Sequence, residues 1–128
     1  MPFTVHYDQE NNCIKVSVKG ELNLVVLQKM AAAVSEVVRK VGCKYILNDL
    51  RRASVPENAF YIYGMPETAR KSGITPKCKR ALLVGDRASN FYFLETVFLN
   101  SGHQVKMFET EEAAYKWLFE DDGDKNTT

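Results

Sequence analysis

The chain has 128 residues, a length typical of a single domain that buries its own core without metals or disulfides. Hydrophobic residues make up 45% and charged residues 26%, which is the balance of a folded globular protein and excludes a disordered chain. The 17 Lys and Arg against 16 Asp and Glu give a formal charge of +1, so the sequence lacks the broad positive field that binds nucleic acid or an anionic membrane.

The cysteines and the hydropathy pattern favour a cytoplasmic protein. Cys13, Cys43 and Cys78 are far apart, form no close pair and leave one unmatched under any disulfide pairing. The first strand-like segment is not preceded by a charged and then apolar leader, and no apolar run approaches the roughly 18 residues of a membrane helix. We therefore expect a cytoplasmic location, no membrane insertion and no nucleic-acid partner.

The first third of the chain predicts two strands, a helix and an interior strand. Alternating apolar residues over Phe3–Asp8 and Cys13–Lys19 indicate an antiparallel hairpin. Asn23 can cap a helix whose apolar residues recur at three- and four-residue steps, and Gly42 is a natural stop. The apolar run Tyr45–Leu47 is typical of a strand that is covered on both faces.

After this strand the sequence predicts a loop and a broken helical segment. Arg51–Ala53 is interpreted as the loop. Ser54, with Glu57 three positions later, has the spacing of a capping box, so a helix is expected to begin there. Pro66 lacks a backbone donor and disfavours helical geometry at the residue before it, which predicts a break near Gly64 and a short second helix.

The last third predicts two more strands, each followed by a helix. The run Ala81–Val84 indicates a second interior strand, and a helix is expected over about residues 90–100. Val105 and Met107 alternate with polar residues in an expected edge strand. Thr110 is placed to cap the last helix.

The predicted element order is β-β-α-β-α-β-α-β-α, which defines an α/β fold. Strands that alternate with helices predict parallel pairing through right-handed crossovers, with the hairpin at one side of a mixed, mainly parallel five-stranded sheet. If every crossover turns the same way, the helices lie mostly on one face and leave the other partly bare. We expect residues 1–119 to form one domain, followed by a polar, disordered tail over residues 120–128.

Several segments carry a family pattern. They are the two opening strands that end at Gly20, the strands Tyr45–Leu50 and Arg80–Gly85, and the closing segments Asn100–Phe108 and Glu112–Leu118. Together they resemble the STAS superfamily, and especially its SpoIIAA-like branch, over nearly the whole chain. The resemblance implies a SpoIIAA-like fold and a non-catalytic regulatory or protein-interaction role like that of bacterial anti-sigma-factor antagonists, with no cofactor.

Ser54 is the candidate regulatory position. Antagonists of this family place a phosphorylatable serine where the loop after this strand enters the next helix, commonly after an aspartate, and the resemblance puts Ser54 there, with Ala53 in place of the aspartate. A phosphate at a helix entry would be stabilised by the helix dipole and by Arg51 and Arg52. The alternative is that Ser54 serves only as a helix cap.

Polar side chains are expected to gather beyond the carboxyl ends of the parallel strands, where open α/β sheets bind their ligands. These side chains belong to Asn48, Asp49, Arg51, Arg52, Asp86, Arg87 and Glu109. One hypothesis is that this rim binds a small anion or a lipid-like molecule. The other is that these are solvated loop charges without a function.

Catalysis and metal binding are not expected. An enzyme would depend on the rim carboxylates Asp49 and Asp86, because the sequence contains no nucleophile motif such as Gly-x-Ser-x-Gly. His6 and His103 do not lie near a cysteine or carboxylate at metal-ligand spacing.

Two aromatic segments carry more apolar surface than a single core-facing stripe requires. They are Phe60–Tyr63 and Phe91–Leu94. The surplus side chains are those of Phe60, Tyr61, Tyr63, Tyr92 and Phe93. They either pack under loops or form an interface with a protein partner or a second copy of the chain.

Overall fold

The chain forms a single sheet with helices on both of its faces. The computed structural model describes residues 2–56, 60–72 and 77–120. The strands are β1 (Phe3–Asp8), β2 (Cys13–Glu21), β3 (Tyr45–Ser54), β4 (Lys79–Leu83) and β5 (Gln104–Phe108). The helices are α1 (Leu24–Val41), α2 (Met65–Ser72), α3 (Ala88–Asn100) and α4 (Glu111–Leu118), and a 3-10 helix (Phe60–Gly64) directly precedes α2.

The five strands lie side by side in the order in which they occur in the sequence. β1 pairs with β2 in antiparallel fashion, and each following pair is parallel. In the β3–β4 pair, Ile46 lies opposite Arg80 and Asn48 lies opposite Leu82. The predicted mixed, mainly parallel sheet is therefore confirmed, including the two interior strands as parallel neighbours.

The two faces of the sheet are covered differently. Helices α1, α2 and α3 cover one face, here called the three-helix face, and the main hydrophobic core lies beneath them. Helix α4 packs on the opposite face over β3, β4 and β5, where Leu47, Leu83 and Leu118 are buried in a smaller second core. Alternate residues of β3 and β4 therefore enter different cores, which explains why these strands are apolar on both sides. The expectation that most helices share one face is confirmed.

The helix-end signals at Asn23, Gly42 and Thr110 and the break near Gly64 are confirmed. The side chains of Asn23 and Thr110 accept backbone N–H groups in the first turns of α1 and α4. Gly42 ends α1 in the left-handed region, with φ at 68° and its N–H donated to the carbonyl of Val38. Pro66 lies in the first turn of α2, where a missing N–H costs little, and the predicted break falls between Gly64 and Met65.

The segment after Leu50 differs from the prediction. Arg51–Ala53 is not a loop but continues β3, which pairs with β2 as far as Ser54. A β-bulge between Asp49 and Arg52 adjusts the register, and the N–H of Leu22 donates to the carbonyl of Ser54 at 2.8 Å.

The prediction that Ser54 caps a helix is therefore wrong. Ser54 is an exposed residue at the end of a strand, and Val55 and Pro56 after it are not helical. Pairing with β2 supplies backbone partners that the local capping pattern does not reveal. Glu57, the expected capping partner, lies outside the described residues, as do the end of the second helix at Gly73 and residues 121–128 of the expected tail.

No helix within the three described ranges is long and apolar enough to cross a lipid bilayer.

Candidate functional site

Exposed aromatic side chains of the 3-10 helix and α3 meet at Tyr63 and Phe93, and Tyr92 is exposed next to Phe93 in the sequence of α3. Tyr63 and Tyr92 each expose 64% of their surface, and Phe93 exposes 37%. The rings of Tyr63 and Phe93 are 5.0 Å apart between centroids and meet edge to face at 81°. We call Tyr63, Tyr92 and Phe93 the aromatic surface.

Helix α3 is apolar on more than its core side. Phe91, Leu94, Val97 and Phe98 are buried against the main core. Tyr92 and Phe93 project from the same helix into solvent, so the surplus apolar surface expected from the sequence is left uncovered in the single chain. Exposed apolar patches of this kind commonly mark contact surfaces.

Tyr61 has a structural role instead. It is half-buried, and its hydroxyl donates to the carbonyl of Leu22 at 2.7 Å, which ties the 3-10 helix to the turn before α1. Burial raises the pKa of the Tyr61 hydroxyl. Phe60 begins the 3-10 helix, and its side chain lies outside the described part of the chain.

Three of the predicted rim residues are linked at the carboxyl ends of β3 and β4. Arg51 donates from Nε to Asp49 Oδ1 at 3.0 Å and from Nη2 to Asp49 Oδ2 at 2.8 Å. Arg87 donates from Nη1 to the backbone carbonyl of Arg51 at 2.8 Å. Burial raises the pKa of Asp49, but the hydrogen bonds from Arg51 outweigh it and hold this pKa below its usual value. Asp49 therefore neutralises much of the positive charge of Arg51 through this ion pair.

Three other predicted rim residues are exposed. Arg52 is near the end of β3 and lies opposite Lys19 of β2. Asp86 and Glu109 lie in the segments that follow β4 and β5. An open depression of about 500 Å³ is lined by Ser17, Val18, Asp49, Arg51 and Arg52.

Asn48 does not share this rim, which corrects the prediction. Side chains alternate along a strand, so Asn48 points away from Asp49 and into the main core, together with Ile46 and Leu50. Only 7% of Asn48 is exposed, and its Oδ1 has no hydrogen-bond donor.

Arg80, which was not among the residues predicted for the site, lines the same pocket as Asn48. Its guanidinium lies over the ring of Phe98, 4.9 Å from the centroid. Desolvation among the surrounding protein atoms lowers the pKa of Arg80 to about 10, so it stays charged at neutral pH. The alternation of side chains along a strand could have placed Arg80 correctly. Arg80 and Leu82 are two residues apart on β4 and face the same side, and Leu82 faces the main core.

In the part of the chain that the structure describes, the cysteine, histidine and acidic side chains do not point to a metal site or a reactive thiol. Within the described residues, His, Cys, Asp and Glu side chains do not form a group of three or more that could hold a metal ion. Cys13, Cys43 and Cys78 are buried free thiols. Burial raises the pKa of Cys13 to about 12 and also raises that of Cys43, which disfavours the reactive thiolate form.

Comparison with known proteins identifies the fold. No protein-family model and no curated protein matches the sequence. Among solved structures, the anti-sigma factor antagonist SpoIIAA in its unphosphorylated form aligns with a TM-score of 0.59 and 15% identity, over 93% of this chain and 99% of its own. SpoIIAA of Bacillus in its phosphorylated form aligns at 0.56 and 16%, over 90% and 97%.

An uncharacterized protein from Shewanella loihica with a SpoIIAA-like fold aligns with a TM-score of 0.62 and 13% identity, over 91% of each chain. These alignments span nearly the full length of both partners. The chain therefore has a SpoIIAA-like fold, as the sequence pattern implied.

Proposed function

We propose that this chain is a non-catalytic, cytoplasmic regulatory module that acts by binding another protein. The observation that carries the proposal is the aromatic surface, which is exposed on a fold whose solved examples include anti-sigma factor antagonists.

The aromatic surface has the properties of a binding hot spot. A partner that fully buried one of these side chains would stabilise the complex by about 1.5–3 kcal/mol. Because the rings of Tyr63 and Phe93 already contact each other, little side-chain freedom would be lost on binding. Tyr63 and Tyr92 offer the largest exposed aromatic area for such contacts, and Phe93 contributes its exposed third.

The test is a pull-down from the native cell with tagged wild-type protein and a Tyr63→Ser, Phe93→Ser double variant. Both residues are exposed, so we expect the fold to persist while at least one partner is lost by tenfold or more. Val41→Ser is the matched control, because Val41 is also an exposed apolar residue, with 40% of its surface exposed. It is the last residue of α1, whereas the 3-10 helix that carries Tyr63 is hydrogen-bonded through Tyr61 to Leu22, before the first residue of α1. Retention of every partner by the double variant contradicts the proposal.

We further propose Ser54 as the position at which phosphorylation regulates this binding. Ser54 and Arg52 are both exposed and flank the buried Ala53, so they share the solvent side of β3, and Lys19 lies opposite Arg52. A phosphate would add about −1.5 to −2 charges, which these cations can pair. Glu21 lies opposite Ser54, and its carboxylate would repel the phosphate. Phosphorylation would therefore alter the structure of this end of β3.

The Ser54 proposal is tested by phosphopeptide mass spectrometry of the native protein and by the same pull-down. We expect a phosphorylated Ser54 peptide, altered partner capture for Ser54→Asp, and unchanged capture for Ser54→Ala. An unmodified peptide together with wild-type capture by Ser54→Asp overturns it.

A small anion at the rim is the second candidate function. The open depression beside Arg51 and Arg52 favours it, since its volume of about 500 Å³ lies within the range of ligand sites. Inorganic phosphate is then expected to raise the unfolding temperature of the wild type but not of Arg52→Gln. Equal shifts in the two proteins contradict a site at Arg52.

A further inference from the structure

A pocket that is partly open to solvent lies in the main core between the sheet and helices α1, α2 and α3. Its volume is about 60 Å³. Most of its walls are apolar, with Ala31 and Val34 from α1 and Leu94 and Phe98 from α3 among them. The exceptions are the side chains of Asn48 on β3 and Arg80 on β4.

Asn48 lacks the hydrogen-bond partner expected of a buried amide oxygen, whereas Arg80 is half-buried. Asn48 is more than nine-tenths buried, and its Oδ1 accepts no hydrogen bond. Within the described ranges no carboxylate forms an ion pair with Arg80, whose recorded contact is the face of the Phe98 ring. A buried polar atom without a partner is costly, and most such atoms in native proteins are satisfied by protein, water or ligand.

The spacing of the two groups limits what could satisfy them. They are on neighbouring strands and the same sheet face, two positions apart in register, so their Cα atoms are separated by about 8 Å. A cavity position for one water needs about 10–15 Å³, so this pocket suits a molecule of roughly four to six non-hydrogen atoms.

We propose that this pocket binds a short-chain carboxylic acid. The carboxylate pairs with the Arg80 guanidinium, whose planar fork matches two carboxylate oxygens, and the alkyl chain contacts the apolar walls. A hydroxyl group on the acid donates to Oδ1 of Asn48. Among the described residues that line the pocket there is no lysine and one arginine, Arg80, so a singly charged carboxylate fits better than a phosphate.

The test is a calorimetric and NMR titration of the whole protein with four probes. Butyrate and 3-hydroxypropionate each have six non-hydrogen atoms and are expected to bind and to shift the methyl signals of Val34 and Leu94. Butyramide, a neutral analogue of butyrate, and inorganic phosphate are expected not to bind at this site.

Variants locate the site. Arg80→Met keeps the aliphatic stem, and we expect the affinity for butyrate to fall about ten- to a hundredfold. Arg39→Met, at an exposed arginine of α1 that does not line the pocket, is the matched control and is expected to bind as the wild type does. If Arg80→Met does not fold, Ala31→Leu fills the pocket from α1 with Arg80 retained and is expected to abolish binding.

Three results overturn the proposal: neither acid binds the wild type, butyramide or phosphate binds as tightly as butyrate, or both pocket variants bind normally. The proposal does not depend on the aromatic surface. Partner capture is expected to be unchanged in Arg80→Met, so the two proposals fail separately.

Discussion

Replacing Asn48 with leucine is expected to make the protein more stable. The two side chains have the same branched shape, so leucine occupies the space of the amide without a clash. An unpartnered buried polar atom costs about 1–3 kcal/mol, and leucine removes Oδ1 while adding apolar contacts in the pocket. We expect the free energy of unfolding to rise by about 1–2 kcal/mol. At this chain length each kcal/mol raises the unfolding temperature by about 3–6 °C.

Urea unfolding followed by circular dichroism and by fluorescence of the single tryptophan, Trp117, measures this change. Asn90→Leu is the matched control, because Asn90 is exposed on α3 and the same substitution there is expected to change stability by about 0.5 kcal/mol or less. A loss of about 1 kcal/mol or more in Asn48→Leu, with an unchanged urea dependence, would show that the amide is satisfied in the folded protein. The physical basis for the ligand proposal would then be wrong.

Three further outcomes are expected. Leu118→Ala opens the second core, where Leu118 is fully buried, and should lower the free energy of unfolding by about 2–4 kcal/mol in urea; a loss below about 1 kcal/mol contradicts a packed second core. Gly42→Ala should cost about 1 kcal/mol, because the left-handed φ of 68° strains alanine although no atom lies within 4 Å of the added Cβ; an unchanged unfolding midpoint contradicts this. Hydrogen bonds from Arg51 hold the folded-state pKa of Asp49 below 3.8 despite burial, so the ionised form stabilises the fold above about pH 4 and this contribution is lost as the pH falls through the lowered pKa. Asp49→Asn should accordingly lose less stability than the wild type between pH 7 and pH 3 in urea titrations, and equal losses contradict the pairing.

Local signals predicted the fold well where the structure depends on local chemistry. Asn23 and Thr110 cap their helices as expected, because a side-chain acceptor near free backbone N–H groups is a short-range interaction. The runs around Ile46 and Leu82 predicted two neighbouring parallel strands, because a strand apolar on both sides must lie inside a covered sheet.

Predictions failed where pairing between distant segments decides the structure. Ser54 has the sequence context of a helix cap, but β2 continues beside it and makes the segment a strand. The pairing of β3 with β4 brings Asn48 and Arg80 to the same pocket, two positions apart in register, while Asp49 faces the other side. The pocket that contains Asn48 and Arg80 was therefore not predicted, because both residues belong to segments that the sequence identifies as apolar strands.

The sequence also did not distinguish the roles of neighbouring aromatic residues. Tyr61 and Tyr63 are two residues apart, yet the Tyr61 hydroxyl donates a hydrogen bond to the carbonyl of Leu22, whereas Tyr63 is exposed and contacts the ring of Phe93. Composition identified the surplus of aromatic surface. It could not assign each ring, because the 3-10 geometry of the segment sets their directions.

A protein partner on the aromatic surface is tested most directly by photocrosslinking in the native cell. A photoreactive amino acid replaces Tyr92, which projects into solvent beside Phe93, and a second protein carries the same group in place of Val41. We expect a discrete crosslinked adduct at position 92 that is lost when Phe93→Ser is added, and no such adduct at position 41. An identical adduct pattern at the two positions, or no adduct at position 92, would contradict binding through this surface.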